Sequence, residues 1–423
     1  MKLLNILLLP LLLLACQAQS NNLPLAKSTI FFIGDGMGIA SLTASRIYSK
    51  GSNGKMNFEK FKNIGLAKTY SSDNFVTDSA AAATALASGI KTYNGSIGFS
   101  DPNLDPKKEA RKLQTIIDVA HRAGKSVGII TTTRVTHATP ASFFAHVRHR
   151  DSEKEIATQV ADSPLTFLLG GGKKNFDANE ISNLKSKGWT LVENAQDLNA
   201  LNKEQKGLKV LGLFNDDHLT YTFDRKQIHN IEHTEPTLAQ MLFWGIKTLK
   251  KNAKGYLLIV EAGRIDHAGH ENHARRNIFD TVALDEAYGI AFEEAGSETL
   301  IVSTSDHETG GLAINGYAPL KSMKGDEIFK KNNKGETHLT WATGPGKESK
   351  KMGEEEKEAS LYFRPAGDHT AVDVLIFAHG PGSQLFQGFM SNHEIPRLIL
   401  KNMGLEFDEK ANLDNYKVSE EAK

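Results

Sequence analysis

Gly255-Tyr256-Leu257-Leu258-Ile259-Val260 runs directly into Glu261-Ala262-Gly263-Arg264-Ile265-Asp266-His267-Ala268-Gly269-His270. The first part is a short, continuous apolar run, the pattern of a strand covered on both faces. The second part carries groups that bind cations. Asp266 and His270 stand four apart, so one helical turn puts both on the same face. Carboxylate plus imidazole suits zinc, and Glu261 at the strand end is placed for a neighbouring, harder ion. A capping Asp beside two surface histidines is the plainer alternative.

The same order of apolar run and polar terminus recurs outward from this stretch. Residues 28–33, 126–131, 165–169, 208–214, 299–303 and 372–378 also read as buried strands. Between them, residues 113–123, 236–249 and 272–294 carry helical patterns. Strands alternating with helices predict an α/β fold, a mainly parallel central sheet sandwiched by helices. Ligands then belong at the carboxyl ends of the strands. Those ends hold Gly34-Asp35-Gly36-Met37-Gly38 after the first strand and Ser305-Asp306-His307-Glu308 after residues 299–303. His137-Ala138-Thr139-Pro140 follows the strand at 126–131, and Gly367-Asp368-His369-Thr370 precedes the strand at 372–378. Each motif alone is ordinary turn chemistry; together they mark one site. Arg148 and Arg150 are candidate phosphate forks, because a guanidinium matches phosphate bidentately.

Thr77-Asp78-Ser79-Ala80-Ala81-Ala82-Ala83-Thr84 predicts a helix from about Ala80, with Asp78 or Ser79 as N-cap. A serine at a helix N-terminus meets free N–H groups and the positive end of the dipole, a place that favours phosphate. Its use as a nucleophile requires a neighbour that lowers its pKa.

The 423-residue chain has a formal net charge of zero, which gives no pointer to nucleic acid. Lys2 followed by a short apolar run over 3–15 predicts a signal peptide, 1–15. It ends at Cys16, the sole cysteine, in a pattern similar to a lipobox; a plain secretory signal cleaved nearby is the alternative. Export to the cell envelope, with a lipid anchor on Cys16, follows, and a single cysteine leaves no pair for a disulfide. Residues 16–27 read as a tether and 28–407 as the catalytic domain. About 317–367 reads as a charged surface insertion before the last core strand, and 408–423 as a polar tail.

Over about residues 27–402 these motifs resemble the alkaline phosphatases. The resemblance implies a metal-dependent phosphate monoester hydrolase with two zinc ions and one magnesium ion per chain, and possible homodimers. It implies Ser79 as the nucleophile that forms a phosphoserine and Arg150, rather than Arg148, as the phosphate-binding arginine. Asp266, His270 and His369 correspond to ligands of the first zinc; Asp35, Asp306, His307 and Ser79 correspond to those of the second. Asp35, Thr139 and Glu261 correspond to the magnesium site, beside His137. His137 and His267 stand where some enterobacterial members have Asp and Lys. Sibling phosphodiesterases or sulfatases, and a non-catalytic phosphate-binding lipoprotein, are the competing readings.

Overall fold

The computed structural model describes residues 25–104, 107–201, 207–316, 324–330, 337–346 and 358–408. The signal peptide, Cys16, most of the tether, the charge-dense residues 347–357 and nearly all of the tail lie outside the described residues. No described helix is long and apolar enough to cross a membrane.

Eight strands in chain order build most of one sheet: β1 (Ser28–Ile33), β2 (Asn63–Lys68), β3 (Ser126–Arg134), β4 (Phe167–Gly171), β5 (Trp189–Val192), β6 (Lys209–Leu213), β7 (Tyr256–Glu261) and β8 (Thr299–Thr304). With Val374–His379 and Gly388–Ser391 they make ten, in the order Gly388–Ser391, β2, Val374–His379, β8, β1, β7, β3, β4, β6, β5. Pairing is parallel except at Val374–His379, which runs antiparallel to both neighbours. Side chains of β1 alternate between the two faces. Phe31 and Ile33 join one apolar cluster with Ile129, Ile259 and Val302, while Ile30 and Phe32 join another with Ile130, Val260 and Ile301. Burial on both faces is why these strands read as unbroken apolar runs.

The register positions the site. Ile33 pairs with Glu261 on one side and Thr304 on the other, and Glu261 pairs with Thr131. Strands β8, β1 and β7 therefore end level, β3 passes the same level at Thr131 before running on to Arg134, and the segments that follow converge.

Some boundaries differ from the sequence expectation. The helix expected at 113–123 begins at Ile116 behind a Thr115–Asp118 capping box, and that expected at 236–249 begins at Leu238 behind Thr237 and Gln240. The two edge strands, β5 and Gly388–Ser391, and β2 next to the edge carry no pattern in the sequence, so a strand follows the one expected to be last. The insertion is not solvated throughout: Ile328, Leu339 and Trp341 are buried with Ile278 and Phe279 in a third apolar cluster.

Candidate active site

Ser79 opens the helix Ser79–Ser88, and Asp78 is its N-cap, accepting the Ala81 N–H at 2.9 Å. The cap choice left open in the sequence falls on Asp78, which frees the serine hydroxyl. Ser79 is buried, with its Oγ 3.2 Å from His307 Nε2. The other oxygen of Asp78 receives the Gly95 N–H at 3.0 Å and pairs with Arg150 Nη1 at 3.1 Å. Arg150 thereby lies beside the helix that Ser79 opens. Arg148 does not join it; its guanidinium lies 5.1 Å above the Phe99 ring.

Three groups of donor atoms converge within 4.8 Å: Asp266, His307 and His369; Asp35, Asp306 and His307; Asp35, His137 and Glu261. Asp266 Oδ2 lies 3.2 Å from His270 Nε2, as helical spacing predicts, and Asp266 Oδ1 lies 3.7 Å from His369 Nε2. His307 Nε2 stands 3.2 Å from Asp306 and 3.8 Å from Asp35. Thr139 Oγ1 approaches Asp35 Oδ2 at 3.4 Å.

The histidine tautomers follow from their outer partners. His270 Nδ1 donates to the Gly367 carbonyl at 2.5 Å, and His369 Nδ1 donates to the Thr77 carbonyl at 2.9 Å. With Nδ1 committed outward, both rings turn Nε2 inward, and the two Nε2 atoms face each other at 3.2 Å; without an ion the His270 Nε2 carries the proton that its pairing with Asp266 retains. A proton or a metal cation at this point satisfies both rings, so the two compete for the same place. His307 makes its Nδ1 contact with Thr309, at 3.2 Å. His137 differs: Arg150 Nη2 lies 3.3 Å from its Nε2, and arginine only donates, so ligation through that atom exchanges the contact.

Residues 26–405 match the alkaline phosphatase family model. The chain belongs to the alkaline phosphatase family. It is 31% identical over 439 residues to alkaline phosphatase 3 of Bacillus subtilis, covering 92% of this chain and 91% of that protein. It is 32% identical over 458 residues to the tissue-nonspecific isozyme of Gallus gallus, covering 91% and 86%. The solved alkaline phosphatase of the Antarctic bacterium TAB5 superposes with a TM-score of 0.72 at 30% identity, covering 91% of this chain and all of that one. Alkaline phosphatases are metal-dependent hydrolases of phosphate monoesters, and that is the activity of this family member.

The residues present fit metal ions. Asp35 Oδ1, Asp306 Oδ2, Glu261 Oε1 and His137 Nδ1 are buried with no hydrogen-bond partner among the described residues. Orphaned polar atoms in these two adjoining groups, which share Asp35, are costly without ions to take them up. Burial pushes Glu261 and Asp306 up to about 7, and Asp306 and Asp266 respectively add to it. Asp35 is raised well above the usual carboxylate range by burial and then by Asp306, Asp266 and Glu261. Burial opposes ionisation of Asp266, yet His270 holds it well below that range. Against the same burial, Asp266 lifts His270 to about 9. Burial, then His369, keeps His307 well below its ordinary value and hence neutral.

Sequence reasoning missed the supporting shell. Thr131 and Thr133 both donate to Glu261 Oε2, the latter at 3.2 Å. The His218 ring lies 4.3 Å from that of His267 and 5.5 Å from that of His137. Asp216-Asp217-His218, close behind the end of β6, was the available signal for that third imidazole.

Proposed function

We propose that Ser79 is the nucleophile of this phosphatase and that Arg150 binds the phosphoryl oxygens. Asp266, His270 and His369 would hold a first zinc; Asp35, Asp306, His307 and the Ser79 oxygen a second. Asp35, Thr139 and Glu261 would hold magnesium, with His137 beside them. The observation that carries the reading is the meeting of the Ser79 hydroxyl with the inward Nε2 of His307 at 3.2 Å, in a buried pocket of orphaned carboxylates.

When bound, the two zinc ions would offset charge on the attacking and leaving oxygens and lower the pKa of the serine hydroxyl and of water. Ser79 sits at the positive end of its helix, where the phosphoserine dianion is favoured. Arg150, held from behind by Asp78, offers paired N–H donors to two phosphoryl oxygens. The Ser79 Oγ–phosphorus bond forms as the ester oxygen–phosphorus bond breaks and the alcohol departs. Water then attacks phosphorus from the vacated side, breaking the serine bond and releasing inorganic phosphate. His307 would not serve as the base, because its Nε2 lone pair would be committed to the second zinc.

The test is turnover of p-nitrophenyl phosphate against its bis-ester, with and without chelator, alongside Ser79→Ala. Chelator-sensitive monoester turnover is expected, and Ser79→Ala lowers kcat by more than about 10³-fold with zinc content unchanged. Preference for the bis-ester, or phosphate binding without turnover, contradicts the proposal. The apolar segment 3–15 ending at Cys16 supports export and lipid anchoring in the cell envelope. Cys16→Ser is expected to move the activity from the membrane to the soluble fraction; unchanged partitioning removes the anchor.

A further inference from the structure

The turn that follows the metal-ligand helix Arg264–His270 is tied to the charged insertion at several points. Asn272 occupies it with φ 52°, a left-handed conformation that asparagine tolerates, and its side chain is fully buried. Its Nδ2 donates to the Gly269 carbonyl at 3.2 Å and to the Thr343 carbonyl at 3.0 Å. Its Oδ1 accepts the Gly346 N–H at 3.0 Å. A Cβ on Gly344 would stand 2.1 Å from that Oδ1, so a side chain there would prevent the approach.

Glu358 closes the other end of the same excursion. Its N–H donates to the Asn272 carbonyl at 3.2 Å. Its Oε2 accepts the Ala274 N–H at 2.7 Å and lies 3.3 Å from Trp341 Nε1. Ala274 begins the helix Ala274–Glu294, whose leading N–H groups have no intrahelical acceptor, so the carboxylate satisfies one of them. Farther along the insertion, the Gly367 N–H donates to the His270 carbonyl at 2.8 Å, while the Gly367 carbonyl holds the His270 ring.

We propose that Asn272 and Glu358 are positioning residues for the metal ligand His270, and that the insertion is thereby part of the catalytic centre. Thr343, Gly346 and Glu358 fasten to one turn, and that turn fixes the last residues of the helix bearing Asp266 and His270. Loosening the staple tilts His270 relative to Asp266 and His369, and a ligand set held loosely releases its ion sooner. Glu358 touches neither substrate nor metal, so its effect travels through Asn272 and Ala274. The inference rests on the reading of His270 as a zinc ligand.

The test is zinc retention by the full-length protein under a fixed excess of chelator, read as metal content over time, with kcat and KM measured in parallel. Asn272→Asp preserves size and the Oδ1 acceptor but removes both Nδ2 donations. Glu358→Ala removes the acceptor for Ala274, and Glu358→Gln keeps one. Asn272→Asp and Glu358→Ala are expected to lose zinc about 10–100-fold faster, with kcat falling and KM little changed. Glu358→Gln recovers most of the retention. Variants that melt earlier when stripped of metal, yet keep zinc and kcat as wild type does, reduce the staple to a purely structural role and overturn the proposal. Should Glu358→Ala not fold, Asn272→Asp decides alone. A wild-type protein that retains no zinc overturns the ligand assignment as well, which separates the two failures.

Discussion

At the scale of single residues, the site is a set of proton and cation acceptors competing for the same occupants. Asp306 and Glu261 are lifted to about 7, by burial first and then by neighbouring carboxylates, and Asp35 is raised well above the usual carboxylate range. Without an ion these carboxyls hold protons that a metal must expel, so affinity falls as pH drops through 7. His270, at about 9 through its pairing with Asp266, must also lose a proton and extends the dependence upward. His307 is already neutral and adds nothing near neutrality. Zinc affinity, measured against a competing dye calibrated at each pH, should therefore rise from about pH 6 to about pH 9, by about tenfold per pH unit for each proton released. A flat profile would mean that the carboxyls are ionised without metal. Every one of these groups was legible in the sequence as a polar residue at a strand end. Their protonation was not, because it depends first on burial and then on charged neighbours that only the fold brings together.

At the scale of elements, the proposed roles of Ser79 and Arg150 make the helix Ser79–Ser88 join stability to substrate binding through one side chain. Asp78 caps the helix with one oxygen and holds Gly95 and Arg150 with the other. Removing a cap costs about 1 kcal/mol, and Asp78→Ala also frees the guanidinium. Denaturant unfolding of Asp78→Ala should show that loss, together with a raised KM for phosphate monoesters. Asp78→Asn keeps the cap but weakens the ion pair, so its KM should rise with little loss of stability. Equal stability losses in both variants would detach the cap from Arg150. The central strands were legible because both faces are apolar. β2 escaped notice because it alternates exposed and buried positions as Asn63-Ile64-Gly65-Leu66-Ala67-Lys68, and Ile64 is 56% exposed. β5 is only four residues long, and the two outer positions of Gly388–Ser391 face solvent, so neither leaves an apolar run. Strands at or next to a sheet edge lack the pattern that burial writes into central strands.

At the scale of the whole molecule, the fold gathers groups from across the chain at one end of the sheet. Asp35, Glu261 and Asp306 are fully buried there, behind β1, at the end of β7 and behind β8. The level register of β8, β1, β7 and β3 makes that gathering possible, and strand order is a property that local pattern does not encode. The insertion shows the same limit: its charge was visible, whereas the burial of Trp341 depends on partners such as Phe279, far away in sequence. With one cysteine in the sequence, no intrachain disulfide is available to tie these segments together. Under the proposed ligand assignment, metal ions would be a cross-link joining the ends of β1, β7 and β8 to the segment that carries His369. Ligand that binds only the folded state at about 100 times its Kd adds about 2.7 kcal/mol of stability per site. For two or three such sites in a chain of this size, chelator stripping should lower Tm by about 5 °C or more. Zinc added back with magnesium should restore it, and Ser79→Ala should show the same difference, because every other ligand remains. A stripped protein that melts with the loaded one would mean that the ions serve chemistry alone and that the protonated carboxyls hold the strand ends together without them.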